Sequence, residues 1–540
     1  MRAQAKADGL TVRAVAGNNV VLLGFDLPAP STAGLLGFGI ERTDHTEGER
    51  YWLRNDLAFR NSRGRTTDVS PVQTFRWGDY TAKPDHHYTY RVVAWVGTPG
   101  KLIPLAEAAV EIRTEGYLTG NHSVYFNRGI AASQQYAARF GNKAPADIPR
   151  REAYTWLSRG LEEALLAFIG QAADASWELQ GALYEFRHQP VLDALRIAAD
   201  AGARVRLVVD ASTKDDSPRE TNLAAIADAG LGPNVIPREH SSAIAHNKFL
   251  VALRNGTPVA VWTGSTNITE GGIFGHSNVG HAVHDPDVAA AFSAYWQELA
   301  ADPTSAVLRK WVGANPPVPS GPATSGTLFS PRSGSAAMLD WYGSLVRGAQ
   351  RSVFLTAAFG VAERLRPVFV EERDILRYVL LDNNRGRIDL MIRDADPDNQ
   401  VSVGAALPAG RFGQWLGEST LDLNQHVNFI HTKILLIDPL GDDPVVLTGS
   451  ANFSPASVSS NDENMLVIAG DTAVADIYLT EYMRLFTHYE FRYAVTARPV
   501  AAPGQAITPR RSLTPDDSWV PRWYEPGSAR AKERALFSGN

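Results

Sequence analysis

The rhythm of hydrophobic and polar positions changes along the chain. Over residues 1–115, short runs such as NNVVLLGFDL, GFGIERT, HHYTYRVVAWVG and AAVEIRTE are separated by Gly, Pro and Asp turn signals. In YTYRVVAW polar and apolar residues alternate with period two, as a strand buried on one face requires. Several short strands without a long helix predict an all-β sandwich. After residue 150 the texture is different. AYTWLSRGLEEALLAFIGQAA reads as one amphipathic helix, SWELQGALYEF as a strand, QPVLDALRIAADAGA as a helix stopped at Gly202, and RVRLVVDA as an apolar strand. Strands alternating with helices predict a mostly parallel α/β sheet.

The same order recurs further on. SVFLTAAFG answers SWELQGALYEF, ERDILRYVLLDNNRG answers the helix VLDALRIAADAGA, and RIDLMIRDA answers the strand RVRLVVDA. This predicts two homologous α/β halves, 120–315 and 325–495, joined by the Pro-, Gly- and Ser-rich GANPPVPSGPATSGT. The closing segment, 496–540, carries Trp519, Trp523 and Tyr524 and is expected to pack on the body.

Bulk properties narrow the classes. At 540 residues the chain exceeds a single core. A formal net charge of −6 argues against a general polyanion binder and leaves room for a local basic groove. With no cysteine, disulfides, thiolate nucleophiles and Cys-zinc sites are excluded. The first twenty residues hold no apolar h-region, so no signal peptide is expected, and the chain reads as cytoplasmic. No run of 18 apolar residues predicts a membrane span, so contact with lipid would be peripheral.

Two stretches carry the chemistry. In AIAHNKFLVAL and FIHTKILLID, a histidine and a lysine stand two residues apart in a buried apolar strand, so His246 and Lys248 share a face, as do His431 and Lys433. GSTN begins 18 residues after His246, and GSAN begins 18 residues after His431. A lone His-x-Lys is usually a core histidine beside a surface lysine. Two copies at one spacing reverse that expectation. His276, His281 and His284 cluster in GHSNVGHAVHD without metal-ligand spacing, and no metal or cofactor is expected.

With these motifs the chain resembles the phospholipase D superfamily, whose mark is H-x-K-x4-D followed by G-S-x-N, twice. HTKILLID matches fully, with Asp438 in the acidic position, whereas Leu253 takes that place in HNKFLVAL. A downstream N-x-E element is met by Asn461–Glu463. NVG is its counterpart in the first half, with Gly280 for the glutamate. The resemblance covers 120–495 and implies two phospholipase D-like α/β halves packed as a pseudo-dimer. The N-terminal 1–115 resembles a fibronectin type III module in pattern.

The resemblance implies a metal-independent phosphodiesterase. One histidine attacks phosphorus to give a phosphohistidine, and the other protonates the leaving alcohol and then activates water. Lys248 and Lys433 would bind the non-bridging oxygens, with Asn267 and Asn452 as amide donors and Ser265 and Ser450 as weaker ones. Glu463 is expected to support His431, which leaves the order of the two histidines open. Asp438 reads mainly as a structural brace. Phospholipid head groups are the favoured substrate and nucleic acid the alternative. A reading of another class is a binding or scaffold protein with a decayed first half. One chain holds both half-sites, so dimerisation is not required.

Overall fold

A computed structural model describes the chain apart from residues 61, 63, 130–133, 214–216, 384, 405–428 and 497–511, with backbone only at 134, 385 and 491–496. Two large sheets form its body. The first runs, edge to edge, Val235–Arg238, Arg204–Asp210, Trp177–Leu183, Lys248–Arg254, Thr257–Gly264, Val279–Val283, His122–Phe126 and Leu118–Thr119. The second, read from its far edge, runs Asn399–Val403, Leu376–Leu381, Ser352–Ala357, Ile434–Ile437, Val445–Gly449, Glu463–Ala469 and Gly326–Ser330. Strand for strand the order is the same.

The sheets are mixed rather than mostly parallel. Only the first three strands of each order pair in parallel, and the rest are antiparallel. The cause is local. Lys248–Arg254 returns into Thr257–Gly264 through Asn255 and Gly256, whose φ values of 50° and 79° suit a tight hairpin turn, and a hairpin reverses direction.

Two predicted elements change type. ERDILRYVLL contains the strand Leu376–Leu381, and RIDLMIRDA is the helix Ile388–Ala395. Every residue of Leu376–Leu381 is buried, and an apolar run of that length has no period to separate strand from helix. The true partner of RVRLVVDA is therefore LRYVLL. The long helix expected from AYTWLSRGLEEALLAFIGQAA is two, Glu152–Ser158 and Leu161–Gly170, because Arg159 and Gly160 take φ of 52° and 93°. Arg159 turns inward there, to the buried Glu481 at 2.7 Å.

Residues 2–113 form two four-stranded antiparallel sheets: Arg2–Ala7, Leu10–Ala16, Val21–Asp26 and Arg76–Asp79 in one, and Glu49–Trp52, Gly37–Asp44, His87–Thr98 and Lys101–Arg113 in the other. Trp519 and Trp523 are buried in the core of these sheets, and the Trp519 indole donates to the Leu35 carbonyl at 2.9 Å. The helix Thr472–Thr496 ties the units together. Its residues Val474 to Tyr489 share one apolar core with Val15 and Leu22, with Val124 and Phe126, and with Phe354 and Tyr378. Among the described residues no helix is long and apolar enough to cross a membrane.

Candidate active site

The two His-Lys stretches meet where the two halves abut. The ring centroids of His246 and His431 lie 6.4 Å apart, nearly perpendicular. Both histidines sit just ahead of their strands, which begin at Lys248 and Ile434, and not within them as the apolar pattern predicted. Each lysine folds back on its own histidine. Lys248 Nζ donates to the His246 carbonyl at 2.7 Å, and Lys433 Nζ to the His431 carbonyl at 2.6 Å. The irregular approach lets each half reach into the other. Ser277 N–H donates to Phe429 O at 2.9 Å, and Asp462 N–H donates to Ile244 O at 3.0 Å. These two bonds relate positions 185 apart in both donor and acceptor, the spacing that also separates His246 from His431.

The imidazoles are held across the same boundary. His246 Nδ1 lies 3.0 Å from Glu463 Oε2, and His431 Nδ1 lies 3.0 Å from Asn278 Oδ1. Glu463 therefore supports His246, not His431. Asn278 is 185 positions before Glu463, so Asn278 and not Gly280 stands in the glutamate's place. The glycine assignment followed the N-x-E spelling, whereas the sheet register pairs Gly264 with Gly280 and Gly449 with Met465. An ionised carboxylate only accepts, so His246 donates from Nδ1 and its Nε2 lone pair is free to react. The Asn278 amide is oriented by donating from Nδ2 to Gly272 O at 2.6 Å and by accepting from Ser265 Oγ at 2.7 Å. His431 also donates from Nδ1.

Burial sets the electrostatics. It depresses His246 and Lys248 adds to this, while Glu463 opposes. It pushes Lys248 down to about 7 against the pull of Glu463 and Glu185. Lys433 is held well below the usual lysine range by burial and by Lys248. His431 is held well below the usual histidine range by burial, Lys433 and His276. Burial would raise Glu463, but the His246 ring and Lys248 bring it below the ordinary carboxylate range. The pocket thus crowds two lysines and three histidines around Glu463, with Glu185 and Asp382 further contributors, and an entering anion would relieve their mutual repulsion.

Residues 165–300 and 366–485 match the family described as "Cardiolipin synthase, PLD-like domain". Each half thus contains a stretch similar to that family. The mitochondrial cardiolipin hydrolase of Xenopus laevis is 31% identical over 147 residues, 26% of this chain and 58% of that protein, so the chain spans little more than half of that relative's length. Phosphatidylserine synthase of Haemophilus influenzae Rd KW20 is 10% identical, covering 62% of this chain and 85% of its own, at a TM-score of 0.42. The phospholipase D family member Nuc of Salmonella typhimurium is 24% identical, covering 26% and 86%, at a TM-score of 0.22.

The remaining motif residues take several places. Asn267 donates its amide to the Glu185 carboxylate. Asn452 is bonded through its main chain, its N–H to Ser457 Oγ at 3.2 Å and its carbonyl from Ser454 N–H at 2.8 Å. Ser265 Oγ accepts from Val279 N–H at 3.1 Å, and Ser450 Oγ accepts from Asn464 N–H at 3.0 Å. Both hydroxyls thus fasten the neighbouring strand. Asp438 lies away from the histidines and accepts the N–H groups of Gln350, Arg351 and Ser352 at 2.7, 2.7 and 2.9 Å. Sequence reasoning passed over Tyr184, whose ring packs edge-on to His246 at 5.0 Å, and set aside His276, whose ring packs on His431 at 4.8 Å. His281 instead bonds His122 at 2.8 Å and Tyr478 at 2.9 Å. Among the described residues no group of three or more His, Cys, Asp or Glu side chains is placed to hold a metal ion.

Proposed function

We propose that the protein hydrolyses phosphodiesters without a metal or other cofactor, through a phosphohistidine on His246, and that phospholipid head groups are its substrate. The observation that carries this reading is the approach of His246 and His431 to 6.4 Å, each with its own lysine, within one chain. Two imidazoles at that separation can touch opposite sides of one phosphate.

The assignment of roles follows from Glu463. The phosphorylated ring is cationic, and a carboxylate on Nδ1 offsets that charge while keeping Nε2 available for attack. His246 Nε2 would bond phosphorus as the bond from phosphorus to the leaving alcohol breaks. Once the substrate's phosphate offsets the cationic groups around it, His431 would carry a proton on both nitrogens and give the Nε2 proton to that alcohol. His431 would then take a proton from water. The resulting hydroxide would displace His246 from phosphorus, yielding a phosphomonoester and restoring both rings. Lys248 and Lys433 would bear on the non-bridging oxygens, with Asn267 and Asn452 beside them.

On this reading the two halves work as a pseudo-dimer and a single chain suffices. The substrate lies in a membrane that the protein visits from its surface, from a cytoplasmic location. The N-terminal unit is a fibronectin type III-like module. The name of the Xenopus laevis relative, a cardiolipin hydrolase, supports a lipid substrate.

The test is incubation in EDTA with labelled cardiolipin and phosphatidylcholine vesicles and, separately, with plasmid and single-stranded DNA. Release of the head group or of phosphatidate supports the proposal. Cleavage of DNA alone replaces the lipid with nucleic acid. No turnover of any diester and no trapped phosphohistidine would leave the binding or scaffold reading.

A further inference from the structure

A cleft of about 550 Å³ opens where the N-terminal sheets meet the first half. Lys83, Arg128, Arg139 and Arg159 all line it, and no acidic side chain does so among the described residues. A neighbouring cleft of about 770 Å³ is also rich in arginine, but Asp56, Asp79 and Glu490 face it and neutralise much of its charge. In the smaller cleft Lys83 is paired with Glu47 and Arg159 with Glu481, which leaves Arg128 and Arg139 without a carboxylate among the described residues.

Its centre is Arg128. The guanidinium stacks on the Trp156 ring at 4.4 Å, and Nε donates to the Trp156 carbonyl at 2.8 Å. That leaves Nη1 and Nη2 with no acceptor among the described residues. The main chain is pinned on both sides, with Arg128 N–H on Leu157 O at 2.9 Å and Arg128 O receiving Arg484 Nη1 at 2.9 Å. Arg139 has no carboxylate partner among the described residues either. Arg159 and Arg484 share one carboxylate, Glu481, which is itself fully buried behind them. That carboxylate is thus taken up by two guanidiniums, and Arg128 and Arg139 have none among the described residues. Burial above all, with Arg159 and Arg484, brings Arg128 down to about 9, while Glu481 opposes.

We propose that this cleft binds a phosphate group at a site separate from the two histidines. The ligand is either a free phosphate compound or the phosphomonoester head group of an anionic lipid. A planar, fixed guanidinium with two open N–H faces suits phosphate oxygens, and a second arginine at the mouth adds charge-assisted bonds. The position of Arg128 gives such binding a bearing on the enzyme. The preceding residue, Asn127, donates to Ile273 O and His276 O at 2.8 and 2.9 Å and accepts from Asn278 N–H at 2.9 Å. It thereby holds the loop that presents Asn278 to His431.

The test uses the full-length His246→Ala/His431→Ala protein, titrated calorimetrically with pyrophosphate in EDTA. Adding Arg128→Gln and Arg139→Gln is expected to weaken one binding event by about tenfold or more, since charge-assisted bonds are lost, while binding at the lysine pair persists. Arg139→Gln alone, at an exposed side chain with no hydrogen bond among the described residues, should weaken it severalfold. That variant keeps the test decisive where Arg128→Gln disturbs folding. The second arm is flotation with phosphatidylcholine vesicles, with and without phosphatidic acid. Arginine-dependent binding of pyrophosphate alone identifies a free phosphate compound. Arginine-dependent capture by phosphatidic acid vesicles identifies the lipid. If neither pyrophosphate nor vesicle binding changes in the variants, the proposal is overturned.

Discussion

Glu463, at the start of its strand in the second half, holds His246 of the first half through a 3.0 Å bond from Nδ1. The equivalent bond to His431 ends on the neutral amide of Asn278. The site is symmetric in geometry and asymmetric in charge. On the proposed mechanism, that asymmetry would separate the roles of two histidines whose distances alone are alike. Glu463→Gln should lower kcat about 10- to 100-fold, the usual cost of removing such a support. It should also move the acid limb of kcat/KM to lower pH, because the carboxylate raises the pKa of His246 against burial and Lys248. An acid limb at unchanged pH would show that Glu463 does not govern His246.

The proposed order of attack predicts different phenotypes for the two histidine variants. Each alanine replacement should reduce steady-state turnover by about 10²- to 10⁴-fold or more. With a nitrophenyl diester, whose leaving group needs no acid, His431→Ala should still accumulate labelled phosphoprotein and His246→Ala should not. Label on His246→Ala protein would reverse the assignment.

Lys248 predicts a pH dependence. Its pKa of about 7 means the free enzyme loses that positive charge as pH rises through neutrality. A pH profile of kcat/KM, which reports the free enzyme, should therefore decline above about pH 7. Lys248→Arg should extend the plateau to higher pH if the longer side chain is accommodated. A decline at the same pH in both would place its cause in another group.

The same residue predicts a stability trend. The folded pKa lies near 7 and the reference value is 10.5, so between these limits the unfolded chain binds the proton and the native one does not. This contribution makes stability rise with pH across the window, and the full cost of burying the charge is present below it. Lys248→Met should raise the thermal midpoint at pH 6 while abolishing activity, with the gain shrinking towards pH 10. A midpoint lowered equally at both pH values would contradict the account.

Asp438 predicts the opposite division. It caps three N–H groups at residues 350–352 and touches neither histidine. Asp438→Ala should cost about 2 kcal/mol of stability, from hydrogen bonds to a charged acceptor. Denaturant midpoint should fall more than kcat does, and Asp438→Asn should recover part of the loss.

The amino-acid sequence by itself determined the composition of the site. His246, Lys248, His431 and Lys433 stand out because a polar pair in an apolar strand is costly unless used, and because the pair occurs twice at one spacing to G-S-x-N. It also located the strand Trp177–Leu183 and the helix Gln189–Asp200, where period and stop signals agree. It misplaced Leu376–Leu381 and Ile388–Ala395, because a fully buried run and a short mixed one satisfy both periods. Only the tertiary structure decided which carboxylate serves which histidine. Glu463 and His246 are 217 residues apart, and the bond exists because the two halves abut and exchange partners across that boundary. No local pattern encodes such a contact, since it depends on how two separately folded surfaces dock.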